Sequence, residues 1–160
     1  MWVSSQTPGP AKEAMPEPRR LKVLFLCGRN ACRSQMAEGW ARRLKDDVIE
    51  PSSAGAEASE VDPRAVRVMA EAGVDISAQR SKGLEEFKGT KFDCVVTLCE
   101  SAGEACPAFA GKAKRVHVAF DDPPKLAADA RSEEEALAHY RRVRDEIRRF
   151  VERLPEALEE

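Results

Sequence analysis

The run Leu21, Lys22, Val23, Leu24, Phe25, Leu26 is nearly continuous in apolar side chains and stops at Cys27, after which come Gly28, Arg29, Asn30, Ala31, Cys32, Arg33 and Ser34. A strand apolar on both faces belongs inside a parallel sheet, covered from either side. Parallel strands need crossover connections of a dozen or more residues, usually helical. This one segment therefore commits the chain to alternating strands and helices. The loop that closes it commits it to a chemistry. A cysteine at the floor of a ring of backbone N–H groups, with an arginine six residues on closing the ring, can hold a tetrahedral oxyanion and attack its central atom in the same place.

The rest of the chain keeps the alternating rhythm. Met36, Ala37, Trp40, Ala41 and Leu44 recur at helical spacing and predict a helix from Gln35 to Lys45. Val48 to Ala54 reads as a second strand. Asp62 and Pro63 predict a capped helix start, and Gly73 its stop. Phe92 to Leu98 and Arg115 to Phe120 predict two more strands. Ser132 with Glu135 makes a capping box for a last helix carrying Leu137, Tyr140, Val143, Ile147, Val151 and Leu154 on one stripe, ended by Pro155. Four strands alternating with helices favour one parallel, right-handed crossover sheet. In such sheets ligands bind beyond the carboxyl ends of the strands, and Cys27, Cys99 and the pair Asp121, Asp122 all fall just after strands.

With 160 residues, the chain has the size of one domain. Its 26 basic and 28 acidic residues show no sustained block of one sign, so nucleic acid is not expected as a partner. No apolar stretch approaches the roughly 20 residues that span a bilayer, and the start lacks the pattern of a secretory signal; a cytoplasmic protein with no membrane contact is expected. Thiols stay reduced there, so the five cysteines read as reactive or buried groups. Their spacing lacks paired C-x2-C knuckles, and no metal is expected. The first twenty residues hold four prolines and no apolar period, which predicts a mobile extension over 1-20. The catalytic α/β domain is expected over 21-155, with a short tail over 156-160.

The loop, followed by Ser34-Gln35-Met36-Ala37-Glu38-Gly39-Trp40, resembles the low-molecular-weight tyrosine phosphatase superfamily, and most closely its thioredoxin-coupled arsenate reductase branch. Further marks are Pro51-Ser52-Ser53-Ala54-Gly55, Val95-Val96-Thr97-Leu98-Cys99, Cys106-Pro107, Phe120-Asp121-Asp122-Pro123 and Arg142-Val143-Arg144-Asp145-Glu146-Ile147. The resemblance covers about Leu21 to Leu154. It implies a single α/β domain with a four-stranded parallel sheet in flavodoxin-like order and helices on both faces. It also implies that residues 27 to 34 (Cys27, Gly28, Arg29, Asn30, Ala31, Cys32, Arg33, Ser34) bind the oxyanion and that Asp122 protonates the departing oxygen, Asp121 being the weaker candidate.

For arsenate the resemblance implies a three-cysteine relay. Cys27 attacks arsenic and water leaves; Cys99 attacks the Cys27 sulfur and arsenite departs; Cys106 attacks Cys99, and thioredoxin reduces the resulting 99 to 106 disulfide. A phosphatase needs no second thiol, whereas a reductase must move two electrons, which paired thiols supply. The alternatives are a tyrosine phosphatase using the same loop and a non-catalytic thiol or arsenite-binding module. A monomer without a bound cofactor is expected. Cys94 reads as a buried core residue. Cys32 reads as loop support, capable of an off-pathway disulfide with Cys27 under oxidation. His117 and His139 read as structural.

Two departures from the family pattern stand out. Arg29 occupies the loop's third position, where glycine is usual; were φ positive there, an arginine would cost about 1 kcal/mol or more. Some relatives hold potassium beside the loop at positions matching Asn30, Glu38, Ser53 and an acidic residue near 82, where this chain has Lys82. An ammonium there is expected to take the ion's place, and Glu38 and Ser53 are otherwise read as a solvated helix residue and a turn residue.

Overall fold

The structure, a computed structural model, describes residues 19–99 and 111–159. Strand β1 (Leu21–Cys27) leads through the loop into helix α1 (Arg33–Leu44). Strand β2 (Ile49–Gly55) and helix α2 (Pro63–Glu71) follow, then a 3-10 turn (Leu84–Phe87) and strand β3 (Cys94–Thr97). Strand β4 (Lys114–His117), the short helix α3 (Pro123–Ala127), the long helix α4 (Glu133–Glu152) and a last 3-10 turn (Glu156–Glu159) complete the order. The four strands form one parallel sheet in the order β2-β1-β3-β4. β1 is internal, as its double-faced apolar run requires.

Alternation along β1 divides the core. Val23 and Phe25 face the larger cluster, built with Met36 and Trp40 of α1, Val68 and Met69 of α2, Ala127 of α3 and the Leu137, Tyr140, Val143, Ile147, Val151 stripe of α4. Leu24 and Leu26 face a smaller cluster with Ala54, Phe92 and Val95, which the Leu84–Phe87 turn covers. Leu24, Phe25 and Leu26 are fully buried, each contributing about 1.5–3 kcal/mol. The helix starts follow their caps: Asp62 Oδ1 accepts from the Arg64 N–H at 2.9 Å, and Ser132 Oγ accepts from the Glu135 N–H at 3.1 Å. Gly73 after α2 takes φ 86°, the left-handed turn glycine favours.

Several boundaries move by a few residues. α1 begins at Arg33 rather than Gln35, which puts Arg33 and Ser34 in its first turn. β4 begins at Lys114, and its ladder runs past the strand through the Val118 N–H to Thr97 O and the Phe120 N–H to Leu98 O. α3 is an addition, because two consecutive prolines obscured a helix start. Arg19 pairs with Asp93 at 2.8 Å, and the last 3-10 turn buries Ala157 and Leu158. No helix among the described residues is long and apolar enough to cross a membrane.

Candidate active site

β1 delivers Cys27 to the carboxyl edge of the sheet, opposite Gly55 of β2. From there the chain turns back on itself, and every loop carbonyl is tied outside the turn. Gly28 O accepts from the Ala56 N–H at 2.9 Å, and Arg29 O from Ser81 Oγ at 3.1 Å and Ser59 Oγ at 3.3 Å. Asn30 O accepts from Gln35 Nε2 at 3.0 Å, Ala31 O from the Asp62 N–H at 2.8 Å, and Cys32 O from the Met36 N–H at 2.9 Å. Peptide planarity sets each following N–H opposite its carbonyl, so the amides of residues 29 to 33 turn inward and form a bowl. α1 starts at its rim with Cys32 as N-cap, no side-chain cap and no acidic residue in the first turn. The positive end of the helix is thereby left for an external anion.

The strain in this turn sits at Asn30, with φ 54°, and not at Arg29 as the family comparison suggested. Asparagine tolerates the left-handed region better than arginine does, and here its side chain is held throughout. Asn30 Oδ1 accepts from the Lys82 N–H at 2.7 Å and from Gln35 Nε2 at 2.8 Å, while Asn30 Nδ2 donates to Ser34 Oγ at 2.8 Å. Ser34 Oγ, having accepted that bond, lies in hydrogen-bond contact with Cys27 Sγ at 2.9 Å. Gln79 Nε2 donates to Gln35 Oε1 at 2.8 Å and so braces the start of this chain of bonds. Asn30, Ser34 and Gln35 are fully buried, where satisfied networks are stiff.

Arg33 closes the bowl. Its guanidinium is almost wholly buried; Nη1 donates to Phe120 O at 3.0 Å and Leu98 O at 3.3 Å, and Nη2 lies 3.6 Å from Asp122 Oδ1. Asp122 makes no capping bond to α3 and borders the cavity, whereas Asp121 turns away to pair with Arg142 at 2.9 Å. Cys99 follows Leu98 directly, is 1% exposed and is disulfide-bonded; Cys27, Cys32 and Cys94 are free thiols. Cys106 lies outside the described residues. The cavity over the bowl measures about 830 Å³ and is walled by residues 27 to 33 except Asn30, by Ala56, Glu57 and residues 59 to 63, and by Asp122, Pro124 and Lys125.

Burial pushes the Cys32 thiol well up from its ordinary range, and nearby Asp62 and Cys27 add to this. Burial likewise raises Cys94. Neither thiol is suited to attack, because the thiolate is the nucleophile. His117 Nδ1 lies 2.7 Å from Thr97 Oγ1 on the edge strand, and His139 sits on α4.

Glu38 and Ser53 are not solvent-facing: both are buried and bonded to each other, Ser53 Oγ donating to Glu38 Oε1. Glu38 Oε2 accepts from Arg42 Nη1 at 2.7 Å. Lys82 Nζ lies 3.8 Å from Glu38 Oε1 and donates to Arg80 O at 2.6 Å. Burial lowers the Lys82 pKa, while Glu38 opposes the shift. The place beside the loop is filled by an ammonium group, and these residues do not fit a potassium ion.

Sequence reasoning missed Ser59, Ser81, Ala56, Gln79 and the second role of Asp62, since each acts through a segment far away in the chain. Gly55 has a visible signal in its motif and a clear reason. A Cβ there would sit 2.6 Å from Asn30 N, 2.7 Å from Arg29 C and 2.9 Å from Gly28 O, all backbone. Gly55→Ala is expected to introduce about 1–3 kcal/mol of overpacking strain, or about 10- to 100-fold in oxyanion affinity if the loop absorbs it. Titration with inorganic phosphate checks this; wild-type affinity would show that the loop is not held by that contact.

A strand ending in a cysteine, an outward-tied loop and an arginine closing onto an aspartate define a phosphatase-type oxyanion site. The model of the family "Low molecular weight phosphotyrosine protein phosphatase" matches residues 22–160, and the chain belongs to that family. Within it the chain groups with arsenate reductases. It is 46% identical over 134 residues to the arsenate reductase of Halalkalibacterium halodurans, covering 84% of this chain and 94% of that one. It is 46% identical over 125 residues to the arsenate reductase of Bacillus subtilis, covering 78% and 88%. A solved structure described as an arsenate reductase in the phosphate binding state superposes with a TM-score of 0.70 at 36% identity, covering 84% of this chain and 95% of that one.

Proposed function

We propose that this protein reduces arsenate to arsenite, with Cys27 as nucleophile, Cys99 as the thiol that resolves its adduct, Cys106 as the thiol that resolves Cys99, and thioredoxin as the electron donor. The observation that carries the reading is the division of labour among the sulfurs. Cys27 is free at the floor of the amide bowl, while Cys99, one residue past the Leu98 carbonyl that Arg33 holds, is already oxidised. The relatives named arsenate reductase support the substrate.

Arsenate enters with its oxygens on the amides of residues 29 to 33 and on Arg33. Cys27 attacks arsenic opposite the outermost oxygen, and Asp122, beside Arg33 at the cavity wall, protonates that oxygen so that water leaves. The Cys99 thiolate then attacks the Cys27 sulfur. The sulfur–arsenic bond breaks with its electron pair staying on arsenic, which falls from the pentavalent to the trivalent state as two thiols become a disulfide. Exchange with Cys106 frees Cys99, and a dithiol partner removes the final disulfide.

The test is a coupled assay with the reduced full-length chain, thioredoxin, thioredoxin reductase and NADPH. NADPH consumption is expected only when arsenate and thioredoxin are both present. Consumption absent with arsenate, alongside hydrolysis of aryl phosphates, would leave the phosphatase reading in its place.

The cradle of Lys82, Glu38 and Ser53 carries a second expectation. With the ammonium supplying the positive charge, initial rates in potassium and sodium buffers of equal ionic strength are expected to coincide. A markedly higher rate in potassium would show that Lys82 does not fill the ion's place.

A further inference from the structure

α1 uses no side chain to close its own beginning. Its third residue, Gln35, sits where a glutamine ordinarily reaches back to the helix cap, yet the helix start has no side-chain cap. Gln35 turns to the loop instead, and Nε2 shares its two hydrogens among Asn30 Oδ1 at 2.8 Å, Asn30 O at 3.0 Å and Arg80 O at 3.1 Å. Gln79 lies on its other side, donating from Nε2 to Gln35 Oε1 at 2.8 Å and to Gln35 O at 3.0 Å, while Arg42 Nη1 approaches Gln79 Oε1 at 3.4 Å. The mechanism above uses neither glutamine.

The facing of each of these amides is decided by backbone groups, which cannot exchange donor and acceptor roles. The Lys82 N–H can only donate, so the Asn30 atom that meets it at 2.7 Å is Oδ1. The carbonyls of Asn30 and Arg80 can only accept, so the Gln35 atom that meets them is Nε2, and the Gln35 carbonyl fixes Gln79 in the same way. Asn30 Nδ2 is thereby the atom left for Ser34 Oγ at 2.8 Å, and Ser34 Oγ lies 2.9 Å from Cys27 Sγ. A thiolate has no hydrogen to give, so with Cys27 ionised this contact is one in which the hydroxyl donates to sulfur. Turned over, the Asn30 amide would set Oδ1 against Ser34 and draw that hydrogen away. Asn30, Ser34 and Gln35 are fully buried, where a wrong orientation has no solvent to correct it.

We infer that Gln35, braced by Gln79, is a positioning residue for the nucleophile: it locks the Asn30 amide in the orientation that leaves the Ser34 hydroxyl hydrogen for the Cys27 thiolate. The Lys82 N–H engages Asn30 Oδ1 from one side only. Gln35 engages the same oxygen together with the Asn30 carbonyl, so the side chain of Asn30 and its backbone at φ 54° are fixed as one unit. The inference rests on the proposed function only in taking Cys27 as the nucleophile.

Gln35→Met removes the donor at nearly constant size, and Ser34→Ala removes the last link to the sulfur. The rate at which iodoacetate carboxymethylates Cys27 near neutral pH is followed by mass spectrometry on the reduced full-length chain, for each variant and for the two combined. Each single change is expected to slow the reaction about 10-fold, the scale of one hydrogen bond to a charged group, and the double variant is expected to be no slower than Ser34→Ala. A Gln35→Met loss that recurs in full in the Ser34→Ala background would show that Gln35 acts by packing alone and would overturn the inference, as would a wild-type rate in Gln35→Met. Gln79→Met, at a half-buried residue outside the loop, is expected to give a smaller loss that Ser34→Ala likewise absorbs, and the same comparison decides the question should Gln35→Met fail to fold. Carboxymethylation needs no arsenate, so this coupling in a chain that shows no arsenate-dependent NADPH consumption would uphold the inference while removing the reductase reading.

Discussion

Cys99→Ser is expected to lower arsenate-dependent NADPH consumption by about 10⁴-fold or more, the scale on which removing a covalent participant acts, while hydrolysis of an aryl phosphate continues. The two activities part because they share only the bowl. On the proposed mechanism ester hydrolysis needs Cys27, the inward amides, Arg33 and Asp122, and no second thiol. Reduction needs a second thiol, because a single cysteine can bind arsenic but cannot supply the second electron pair partner that lets arsenite depart. Serine has nearly the same shape and leaves the Leu98 carbonyl, to which Arg33 donates, in the backbone as before. A single addition of arsenate to the variant is expected to stop at the Cys27 adduct, visible as an added mass that excess dithiol releases. Parallel loss of both activities would show that residue 99 supports the loop; persistence of both would show that another thiol resolves the adduct.

Arg33→Lys is expected to lower kcat/KM for arsenate and for aryl phosphate alike by about 10² to 10³-fold, the loss seen when one preorganised oxyanion donor is removed. Charge is conserved in this change, and geometry is not. The guanidinium is 4% exposed and spreads its donors over Leu98 O, Phe120 O and Asp122 at once. An ammonium cannot span those partners and still face the bowl. Asp122 would lose the Nη2 group that lies 3.6 Å from its Oδ1. Steady-state kinetics on both substrates, with thermal unfolding as a control on folding, checks the expectation. Full activity in the lysine variant would mean that a point charge alone suffices, so that the planar fork has no part in holding the oxyanion.

The sequence was most legible where a local rule and the global fold agree. The double-faced run of β1, the Asp62 and Ser132 caps and the α4 stripe each carry their own signal, and all four appear in place. The C-x5-R-S loop stood out for the same reason, since one short segment holds the cysteine and the arginine that border the cavity. What did not show was the scaffolding of the loop. Ser59, Ser81 and the Ala56 N–H reach Arg29 and Gly28 only because β2 ends beside β1, and polar residues in a connecting segment look alike before that happens. Arg29 was suspected of carrying the strain; Asn30 carries it, because the residue with side-chain partners at Ser34, Gln35 and Lys82 can best be held in the left-handed region. Glu38 and Ser53 looked like surface residues since helix and turn positions do not reveal that a lysine forty-four residues from Glu38 will fold over them.

The outward tethers of the loop carbonyls have an implication for when the protein becomes reactive. Their anchors come from the end of β2, from Ser59 and Ser81, from α1 and from the start of α2, so the bowl is an agreement among stretches that meet only in the folded chain. A peptide spanning residues 21 to 44 would contain the nucleophile, the arginine and the helix, yet it could not hold its amides inward. Rapid modification of Cys27 by a small anionic alkylating agent, blocked by phosphate, is therefore expected of the folded chain and not of that peptide: the oxyanion trap exists only where all of these anchors are present together.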